Sequence, residues 1–501
     1  METVQTLEFS NVYDLFTHID QLIDTQVTSK VLDNKDKQAS MDLTYSRSPC
    51  WLCLICIWEI RTMTSVFYRA PKASYPIAAS ATGTRIIDRD GNEWLDMSGG
   101  AAVSAVGHGH PTVLAAIQDQ LAKIPFAHTA FFSNAPQEEL AERISARFSE
   151  LDSKVYFSSG GSEANETAAK MAWQYWQAKG QPNKKIIISR EYSYHGNTLG
   201  ALSLSGNPAR RRQSAAPLLD WPRVSPCYAY RFQGPQESEA QHTARLIKEL
   251  SATIANTGPD TIAAFICEPV VGASLGVVPP TAQYLAAVRQ LCDDNDILLI
   301  CDEVMCGNGR TGTWFAHAQD AIVPDLVTLG KGIAGGYVPL AATIIRKHLS
   351  DVLSESGFVH GHTYVGHALA CAAGCGVMNV LETDNLLAQT SERGAQLMAR
   401  LREDLGDHPA LGDVRGRGFF IGLEFVSDKE TKAGFAGTGK SGEAIKAAAM
   451  AQGLICYPGH VTFDGLTVPH ILLAPPLIAS DSDFDLLIDK LKRVMDHVFA
   501  T

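Results

Sequence analysis

The sequence predicts an α/β protein with a large, mostly parallel sheet domain and a smaller α+β domain. From about residue 80, short apolar runs rich in Ile, Val and Phe alternate with helical stretches, which is typical of parallel-sheet α/β proteins. After about residue 370 the pattern changes to long Ala- and Leu-rich amphipathic stretches. With 501 residues, 46% of them apolar, the chain is long enough to bury a sizeable core.

Four segments are predicted along the chain. Residues 1–62 lack the residue clusters that mark turns and are interpreted as an added extension. Residues 63–125 are expected to join the small domain, residues 126–370 to form the large domain, and residues 371–501 to form the small domain. No internal repeat or low-complexity tract is visible in the sequence.

Five apolar runs are the clearest strand candidates of the large domain. They cover residues 155–157, 186–188, 263–267, 297–301 and 326–329. Each run ends in polar or glycine-rich residues. Because ligands of open α/β sheets bind beyond the carboxyl ends of the strands, we expect the functional site at these ends. In the small domain, an apolar segment is predicted at 419–425 and a helix at about 481–499.

Charge and cysteine usage exclude several classes of protein. The chain has 42 Lys and Arg against 54 Asp and Glu, a net charge of −12, and no basic stripe, so no nucleic-acid partner is expected. The eleven cysteines stand mostly alone in apolar surroundings, which predicts reduced, buried thiols. Cys50, Cys53 and Cys56 have the spacing of metal ligands, but no second ligand pair stands near them, and no metal site is predicted.

No membrane segment or targeting peptide is predicted. The apolar run at 51–58 is eight residues long, whereas crossing a bilayer takes roughly 20. The first 29 residues contain acidic side chains but no Lys or Arg, the opposite charge bias from a signal or transit peptide. We therefore expect a cytoplasmic protein.

Two carboxylates follow the predicted strand at 297–301. Asp302 and Glu303 continue an apolar run that must be buried, and a buried carboxylate is costly without a partner. A structural ion pair is the simplest explanation when these residues are considered alone. The glycine-rich loop at 307–312, which presents one arginine, lets the backbone approach a ligand closely. Together, the carboxylates and the loop indicate a site.

Lys331 lies at another predicted strand end, among small and apolar residues. A solvated surface lysine fits this setting badly, and desolvation would lower the pKa of the amine so that it acts as a nucleophile or base. A lysine that forms an imine and a carboxylate that keeps a pyridinium nitrogen protonated are the two groups that pyridoxal phosphate requires. The Gly/Ser turn at 158–162, before a predicted helix at 163–176, offers N–H groups for its phosphate.

A series of separate motifs runs from about residue 80 towards the C-terminus. They lie at 91–96, 107–111, 159–166, 194–196, 268–269, 302–312, 328–336 and 362–364. In this order they resemble the class III (ornithine and ω-amino acid) family of pyridoxal-phosphate aminotransferases. The resemblance implies fold type I with residues 126–370 binding the cofactor. It also implies ping-pong transfer of an amino group from an amine or ω-amino acid to a keto acid or aldehyde.

The resemblance implies roles for particular residues. Lys331 would form the imine and move the proton, and Asp302 would pair with the pyridine nitrogen. Gly161 and Ser162 would bind the phosphate.

Further cofactor contacts are implied by the same resemblance. Tyr194 and Val304 would lie on opposite faces of the ring, and His195 is interpreted as packing at its edge. Thr363 would contact the phosphate in the neighbouring subunit, which implies a homodimer with shared sites.

The substrate side is less well defined by the sequence. Glu268 matches an acidic family position near the substrate, although a structural glutamate explains it nearly as well. Family members acting on ω-amino acids often carry an arginine in the C-terminal domain that binds the carboxylate, and residues 456–461 contain none. Arg231, Arg415 and Arg417 are candidate substitutes, with a turn-pinning role as the alternative for Arg415 and Arg417.

Aromatic side chains are candidates for an apolar amine pocket. They are Phe131, Phe132, Trp94 and Tyr457. Packing between domains explains them about equally well.

The same sequence also has features of rival functions. Residues 434–441 match the phosphate-binding loop G-x-x-x-x-G-K-[ST] of NTPases. However, residues 427–433 separate the loop from the apolar run before it, so residues 427–442 are predicted to be a surface loop before a helix. Decarboxylase, racemase or aminomutase activity on the same cofactor is the nearer alternative, and a scaffold without activity is a third.

Overall fold

The computed structural model describes residues 64–71, 73–148, 152–437 and 439–500. The chain divides into a unit of residues 1–75 and a unit of residues 76–501. Within the described part of the first unit, the rings of Tyr68 and Tyr75 lie 4.8 Å apart. The predicted extension at 1–62, with its apolar run and its three cysteines, lies outside the described residues.

The described part of the second unit forms strands β1 to β15 and helices α1 to α14. The strands are β1 (Ala78–Thr82), β2 (Arg85–Asp88), β3 (Glu93–Asp96), β4 (Lys154–Ser158), β5 (Ile186–Arg190), β6 (Arg223–Val224), β7 (Ile262–Cys267), β8 (Leu298–Asp302), β9 (Leu326–Leu329), β10 (Ala341–Ile345), β11 (Leu411–Arg417), β12 (Phe420–Phe425), β13 (Leu454–Ile455), β14 (Tyr457–Phe463) and β15 (Leu466–Leu473). The helices are α1 (Gly99–Ala102), α2 (Pro111–Lys123), α3 (Ala135–Ser145), α4 (Gly161–Ala178), α5 (Leu199–Leu204), α6 (Pro208–Arg212), α7 (Ala229–Phe232), α8 (Glu239–Thr257), α9 (Tyr284–Asp294), α10 (Lys347–Ser356), α11 (Ala368–Thr383), α12 (Leu386–Leu405), α13 (Gly442–Ala451) and α14 (Asp481–Val498). Short 3₁₀ turns cover Pro259–Thr261, Ala316–Asp320 and Lys331–Ala334.

A seven-stranded sheet in the order β4-β10-β9-β8-β7-β5-β6 organises the large domain. β10 runs antiparallel to both of its neighbours, β4 and β9, and the remaining pairs are parallel. The carboxyl ends of β4, β5, β7, β8 and β9 therefore lie at one edge of the sheet. The five predicted strands are confirmed, and all of them belong to this sheet.

The strands of this sheet are apolar throughout because both faces are covered. On one face, Leu298 and Ile300 of β8 pack in a cluster with alanines of α4, the helix predicted at 163–176. On the other face, Leu299 and Cys301 belong to the main core. The eight described cysteines are all free and buried, as predicted for them.

Two smaller sheets complete the unit. β1, β2, β3 and β13 form one, and β11, β12, β15 and β14 form an antiparallel one. The apolar segment predicted at 419–425 is strand β12, and the predicted terminal helix is α14, whose N-terminus has a capping box at Ser480. These elements agree with the predicted fold class, whereas the domain boundaries at 125 and 370 stay predictions.

Sequence patterns missed some strands. β10 (AATII) contains two alanines and runs against the direction of its neighbours, and β6 has only two residues. Neither length nor periodicity distinguishes such segments before the sheet assembles around them. None of the described helices has both the length and the hydropathy needed to span a membrane.

Candidate active site

Three predicted site residues follow neighbouring strands of the seven-stranded sheet. Asp302 ends β8, Glu268 follows β7, and Lys331 follows β9. β8 lies between β7 and β9 and is parallel to both. Because the carboxyl ends of parallel strands meet at one edge, the fold brings the three side chains together.

Asp302 is buried and held by several hydrogen bonds. Its Oδ2 accepts hydrogen bonds from the Asn165 amide and from Nδ1 of His195, both at 2.8 Å. Its Oδ1 accepts from the backbone N–H of Val304 at 3.0 Å, and the Thr328 hydroxyl lies 3.3 Å away. These contacts fix the plane of the carboxyl group.

Asn165 and Thr328 are functional candidates to which sequence reasoning gave no role. Both are buried, and the Thr328 hydroxyl donates to Oδ1 of Asn165 at 2.8 Å. The sequence contains one relevant signal: Asn165 lies in a helix whose other buried positions are mostly alanine. A polar side chain on such a face needs a specific hydrogen-bond partner.

Lys331 begins a 3₁₀ turn with a backbone φ of 48°, in the left-handed region. This conformation costs a non-glycine residue about 1 kcal/mol and is often found at functional sites. Burial lowers the pKa of the Lys331 amine below its usual range, while the negative charges of Asp302 and Glu268 oppose that shift. The amine and the two carboxyl groups therefore share one electrostatic environment.

Gly161 at the start of α4 lies against Val304. A Cβ at Gly161 would stand 2.6 Å from Val304 Cγ1, which excludes any side chain there. A Cβ at Gly330 would meet the same methyl at 3.1 Å. Ser162 accepts a hydrogen bond from the N–H of Asn197 at 3.0 Å. The first turn of α4, the loop after β8 and the residue before Lys331 thus converge.

Tyr194 and His195 belong to the loop after β5. The backbone N–H of Tyr194 donates to Glu268 Oε1 at 2.7 Å, and the guanidinium carbon of Arg210 lies 4.6 Å from the Tyr194 ring centre. The predicted packing role of His195 missed its hydrogen bond to Asp302. Nδ1 is the donor in that bond, because an ionised carboxylate only accepts.

Glu268 is buried beside this loop. Its Oε2 accepts from the N–H of Gly272 at 2.7 Å. Burial raises the pKa of the Glu268 carboxyl above its usual range. Its two backbone contacts link the loops after β5 and β7, and its position beside Lys331 leaves both a structural and a substrate-side role open.

Glu303, next to Asp302 in the chain, has a structural role. Its carboxylate accepts from the backbone N–H groups of Ala316 and His317 at 2.7 and 2.8 Å, and from His317 Nδ1 at 2.6 Å. It therefore fixes the start of the 3₁₀ turn Ala316–Asp320. Of the two carboxylates, the structural explanation holds for Glu303, while Asp302 belongs to the site.

Two of the candidate arginines surround another buried carboxylate, Glu424. Arg231 Nε lies 2.5 Å from Glu424 Oε1, and Arg415 Nη2 lies 2.9 Å from Oε2. Tyr228 donates its hydroxyl proton to the same carboxylate. Arg415 also binds Asp413 at 2.9 Å and three backbone carbonyls. We call these five side chains the Glu424 cluster.

The remaining substrate-side candidates have varied surroundings. Arg417 forms a two-bond ion pair with Asp320. Tyr457 packs against an apolar cluster that includes Phe420 and Leu472, and the Trp94 indole donates to Asp88 at 3.3 Å within the β2–β3 hairpin. Phe131 and Phe132 are exposed.

Thr363 is exposed beside a cleft of about 600 Å³ that it lines together with Tyr156 and His360. Within the described residues, Thr363 lies at this cleft and outside the hydrogen-bond network of Asp302. Its role at a cofactor phosphate in the neighbouring subunit, implied by the resemblance, stays a prediction.

In the parts that the structure describes, the NTPase-like segment at 434–441 packs against β15 and the end of α14. Phe435 bridges to Thr467 of β15, and Ser441 caps α13. The Lys440 amine donates to the carbonyls of Val498 and Ala500 at the chain end. The Lys440 amine is therefore bound to backbone carbonyls and does not point into a phosphate-binding loop, as the lysine of an NTPase would.

Comparisons with known proteins identify the family. The sequence profile of the aminotransferase class-III family matches residues 68–495. An uncharacterized aminotransferase of Schizosaccharomyces pombe is 36% identical over 441 residues, which cover 87% of this chain and 95% of that protein. The chain belongs to the class III aminotransferases. The family, fold class and enzyme class predicted from the sequence are confirmed.

This class III aminotransferase is similar to proteins of several named activities. The putrescine–pyruvate aminotransferase of Pseudomonas aeruginosa is 33% identical, with 85% of this chain and 91% of that protein covered. A solved (S)-enantioselective omega-transaminase from Thermomicrobium roseum is 35% identical with a TM-score of 0.81, covering 89% of this chain and 98% of that one. The family is dependent on pyridoxal phosphate, and the enzyme transfers amino groups.

Proposed function

We propose that this enzyme moves an amino group from an amine or ω-amino acid to a keto acid or aldehyde, with pyridoxal 5′-phosphate held at the Asp302 site. The arrangement that carries the proposal is a buried, hydrogen-bonded carboxylate next to a desolvated lysine. When bound, pyridoxal phosphate supplies an electron-accepting ring to which an amine can be attached. No metal is involved in the proposal.

The donor set fits such a cofactor. Asp302 is a carboxyl acceptor for a pyridinium N–H, and the first residue of α4, Gly161, carries no side chain because Val304 lies against it. N–H groups at a helix start favour a phosphate. Tyr194 and Val304 would bound the ring from opposite sides, and Ser162 would add a hydroxyl donor.

Lys331 would be both the attachment point and the acid–base group. Its lowered pKa leaves more of the unprotonated amine near neutral pH than an exposed lysine would have. An amine released from attachment can then accept a proton from the substrate carbon and return it. Asp302 would hold the proton on the ring nitrogen throughout.

For the substrates, we propose donors with an amino group remote from their carboxylate or with no carboxylate. Similar proteins named for such donors include the putrescine–pyruvate aminotransferase and the Solanum lycopersicum gamma aminobutyrate transaminase 3, which is 34% identical. Glu268 and Tyr457 are the substrate-side residues proposed here. Arg231 and Arg415 would have to leave Glu424 before either bound an acceptor carboxylate.

We further propose that the enzyme works as a homodimer in which Thr363 enters the partner's site. Thr363 is exposed beside its cleft, and large apolar side chains lie exposed in the same or neighbouring segments: Phe131 at 79%, Val359 at 82% and Tyr364 at 57%. Mixing inactive Lys331→Ala and Thr363→Ala subunits tests this directly. A mixed dimer with shared sites has one intact site and regains activity, whereas self-contained sites give no recovery.

The cytoplasmic location expected from the sequence remains part of the proposal. The Solanum lycopersicum relative is named chloroplastic and a rice relative mitochondrial, so location differs among similar proteins. Imaging the full chain with a fluorescent tag, with residues 1–62 present and deleted, tests the location and the role of the extension. Organelle import that depends on residues 1–62 would contradict it.

The function itself is tested by the colour of the cofactor. Purified protein loaded with pyridoxal phosphate is expected to show the visible absorbance of a protonated imine, which an amine donor alone bleaches and a keto acid restores. Screening amines and keto acids by this change identifies the substrates. Decarboxylation, racemisation or internal amino shift would instead turn over a single substrate without a keto acid, and that result would replace the proposal.

A further inference from the structure

Asp302 offers four lone pairs, and its neighbours use them unevenly. Oδ2 receives two donors, the Asn165 amide and the His195 imidazole, each at 2.8 Å. Oδ1 receives the backbone N–H of Val304 at 3.0 Å. The Thr328 hydroxyl is 3.3 Å from Oδ1 but 2.8 Å from Asn165 Oδ1. Since a hydroxyl has one proton, the shorter contact takes it.

The Asn165 carboxamide can therefore point in one direction only. Its two N–H bonds meet two acceptors, the His195 carbonyl at 2.7 Å and the Asp302 carboxylate at 2.8 Å. Its oxygen meets a donor, Thr328. Turning the amide over would place its oxygen against two other oxygens. The three side chains of Asn165, Thr328 and Asp302 are all buried, so water does not supply replacements readily.

We propose that Thr328 and Asn165 form a positioning pair that fixes the Asp302 carboxylate and leaves one lone pair of its Oδ1 for the ring N–H of the cofactor. This inference rests on the proposed function of the Asp302 site. Thr328 acts on Asn165, and Asn165 acts on Asp302, so neither is a catalytic residue. Without the Thr328 hydroxyl, the Asn165 oxygen loses its donor, and the preference between the two amide orientations weakens.

The fold supplies a matched control at Thr343. Thr343 of β10 is the register partner of Thr328 on β9, and both are fully buried. The Thr343 hydroxyl donates its proton to the Ala164 carbonyl at 2.9 Å and not to Asp302 or Asn165. Replacing either threonine by valine removes one buried hydroxyl from the same sheet. The effect on stability should therefore be similar, and the effect on the Asp302 site should differ.

The experiment compares wild-type protein with Thr328→Val, Thr328→Ser and Thr343→Val. Cofactor-free protein is titrated with pyridoxal phosphate to obtain its Kd, the visible band of the loaded protein is followed against pH, and the Tm of the cofactor-free protein is measured. In Thr328→Val we expect Kd to rise about fivefold, the change that corresponds to losing one hydrogen bond between uncharged groups. We also expect the pH midpoint of the band to shift. Thr328→Ser and Thr343→Val should keep the wild-type Kd and midpoint.

The outcomes separate this inference from the proposed function. Equal Kd and midpoint in Thr328→Val and Thr343→Val, with matched losses in Tm, would show a merely structural threonine and overturn the positioning pair. Failure of Thr328→Ser to keep the wild-type values would overturn it as well. If wild-type protein does not bind pyridoxal phosphate, the proposed function fails and the pair falls with it.

Discussion

The Asp302 site and the Glu424 cluster both bury a carboxylate, but with opposite kinds of partner. Asp302 accepts from an amide, an imidazole and a backbone N–H. Glu424 lies between two guanidinium groups and a tyrosine hydroxyl. In the Glu424 cluster, charges are neutralised and Arg415 uses all of its nitrogens. Around Asp302, the hydrogen-bond donors are an amide, an imidazole and a backbone N–H instead of guanidinium groups, and the Lys331 amine is the nearby basic group on which its charge acts.

This difference distinguishes buried polar residues that serve the active site from those that stabilise the fold. Charge pairing inside the cluster holds β11 and β12 against the loop at 275–277. The Asp302 site instead includes Lys331, whose backbone lies in the left-handed region. Burial of this lysine disfavours the charged form of its amine. Substitutions in the two regions should therefore have opposite signatures: loss of activity in one and loss of stability in the other.

The largest effect is expected from Lys331→Ala. Transamination should fall by at least about a thousandfold, because both attachment and proton transfer are lost. The Tm of the cofactor-free protein should stay equal or rise, since a desolvated amine is removed. Rate assays and thermal melts on the same preparation check both. If Lys331→Ala kept its activity, or if its Tm fell strongly, the proposed contrast between the Asp302 site and the Glu424 cluster would be wrong.

The next largest effect is expected from Arg415→Ala. Breaking a buried ion pair on one side should lower the free energy of unfolding by about 3 kcal/mol. Arg493→Ala is the control, because its pair with Asp489 is exposed and should contribute less than about 0.5 kcal/mol. Denaturant unfolding measures both. A stable Arg415→Ala protein with a raised KM for the keto acid would instead assign Arg415 to the substrate.

A smaller, pH-dependent effect is expected from His470, which faces Arg415 from β15. Burial, together with the positive charge of Arg415 and that of His460, lowers the pKa of His470 to about 3. Between that value and the ordinary 6.5 of the unfolded chain, only the unfolded state binds the proton. Stability should therefore fall as the pH decreases through this window, by on the order of 1 kcal/mol per pH unit.

His470→Gln tests this sign. Gln has an amide donor for the Ala273 carbonyl that His470 contacts at 3.2 Å but does not titrate. The variant should lose less stability than wild type between pH 6 and pH 4. The matched variant His497→Gln, at an exposed position of α14, should behave like wild type. Identical acid slopes in all three proteins would contradict the assignment.

The smallest effect is expected from Lys440→Ala. Loss of its hydrogen bonds to the chain end should lower stability by about 1 kcal/mol and leave transamination unchanged. ATP hydrolysis is expected to be absent from wild type and from both Lys440→Ala and Lys331→Ala. An ATPase activity lost only in Lys440→Ala would reinstate the phosphate-loop reading of residues 434–441.

Sequence patterns were sufficient for the positions of Asp302 and Lys331. Each follows an apolar run, and parallel strands align such ends at one edge of the sheet. The pairing of Asn165 with Asp302 joins residues 137 positions apart and depends on how α4 crosses the sheet. For Arg415, the sequence left a substrate role and a structural role equally open, because only the fold brings Glu424 and the loop at 275–277 to it.

The alternation of apolar runs with helical stretches, a local property of the chain, determined the α/β class, and strand-end chemistry singled out the lysine and the aspartate as candidates. The family followed from the resemblance carried by the ordered motifs. Tertiary structure decided which buried charged residues are paired with opposite charges and which keep an acceptor position without a donor. The physical reason is that hydrogen-bond satisfaction depends on distances of about 3 Å between groups far apart in the chain, and such distances exist only once the strands and helices have packed.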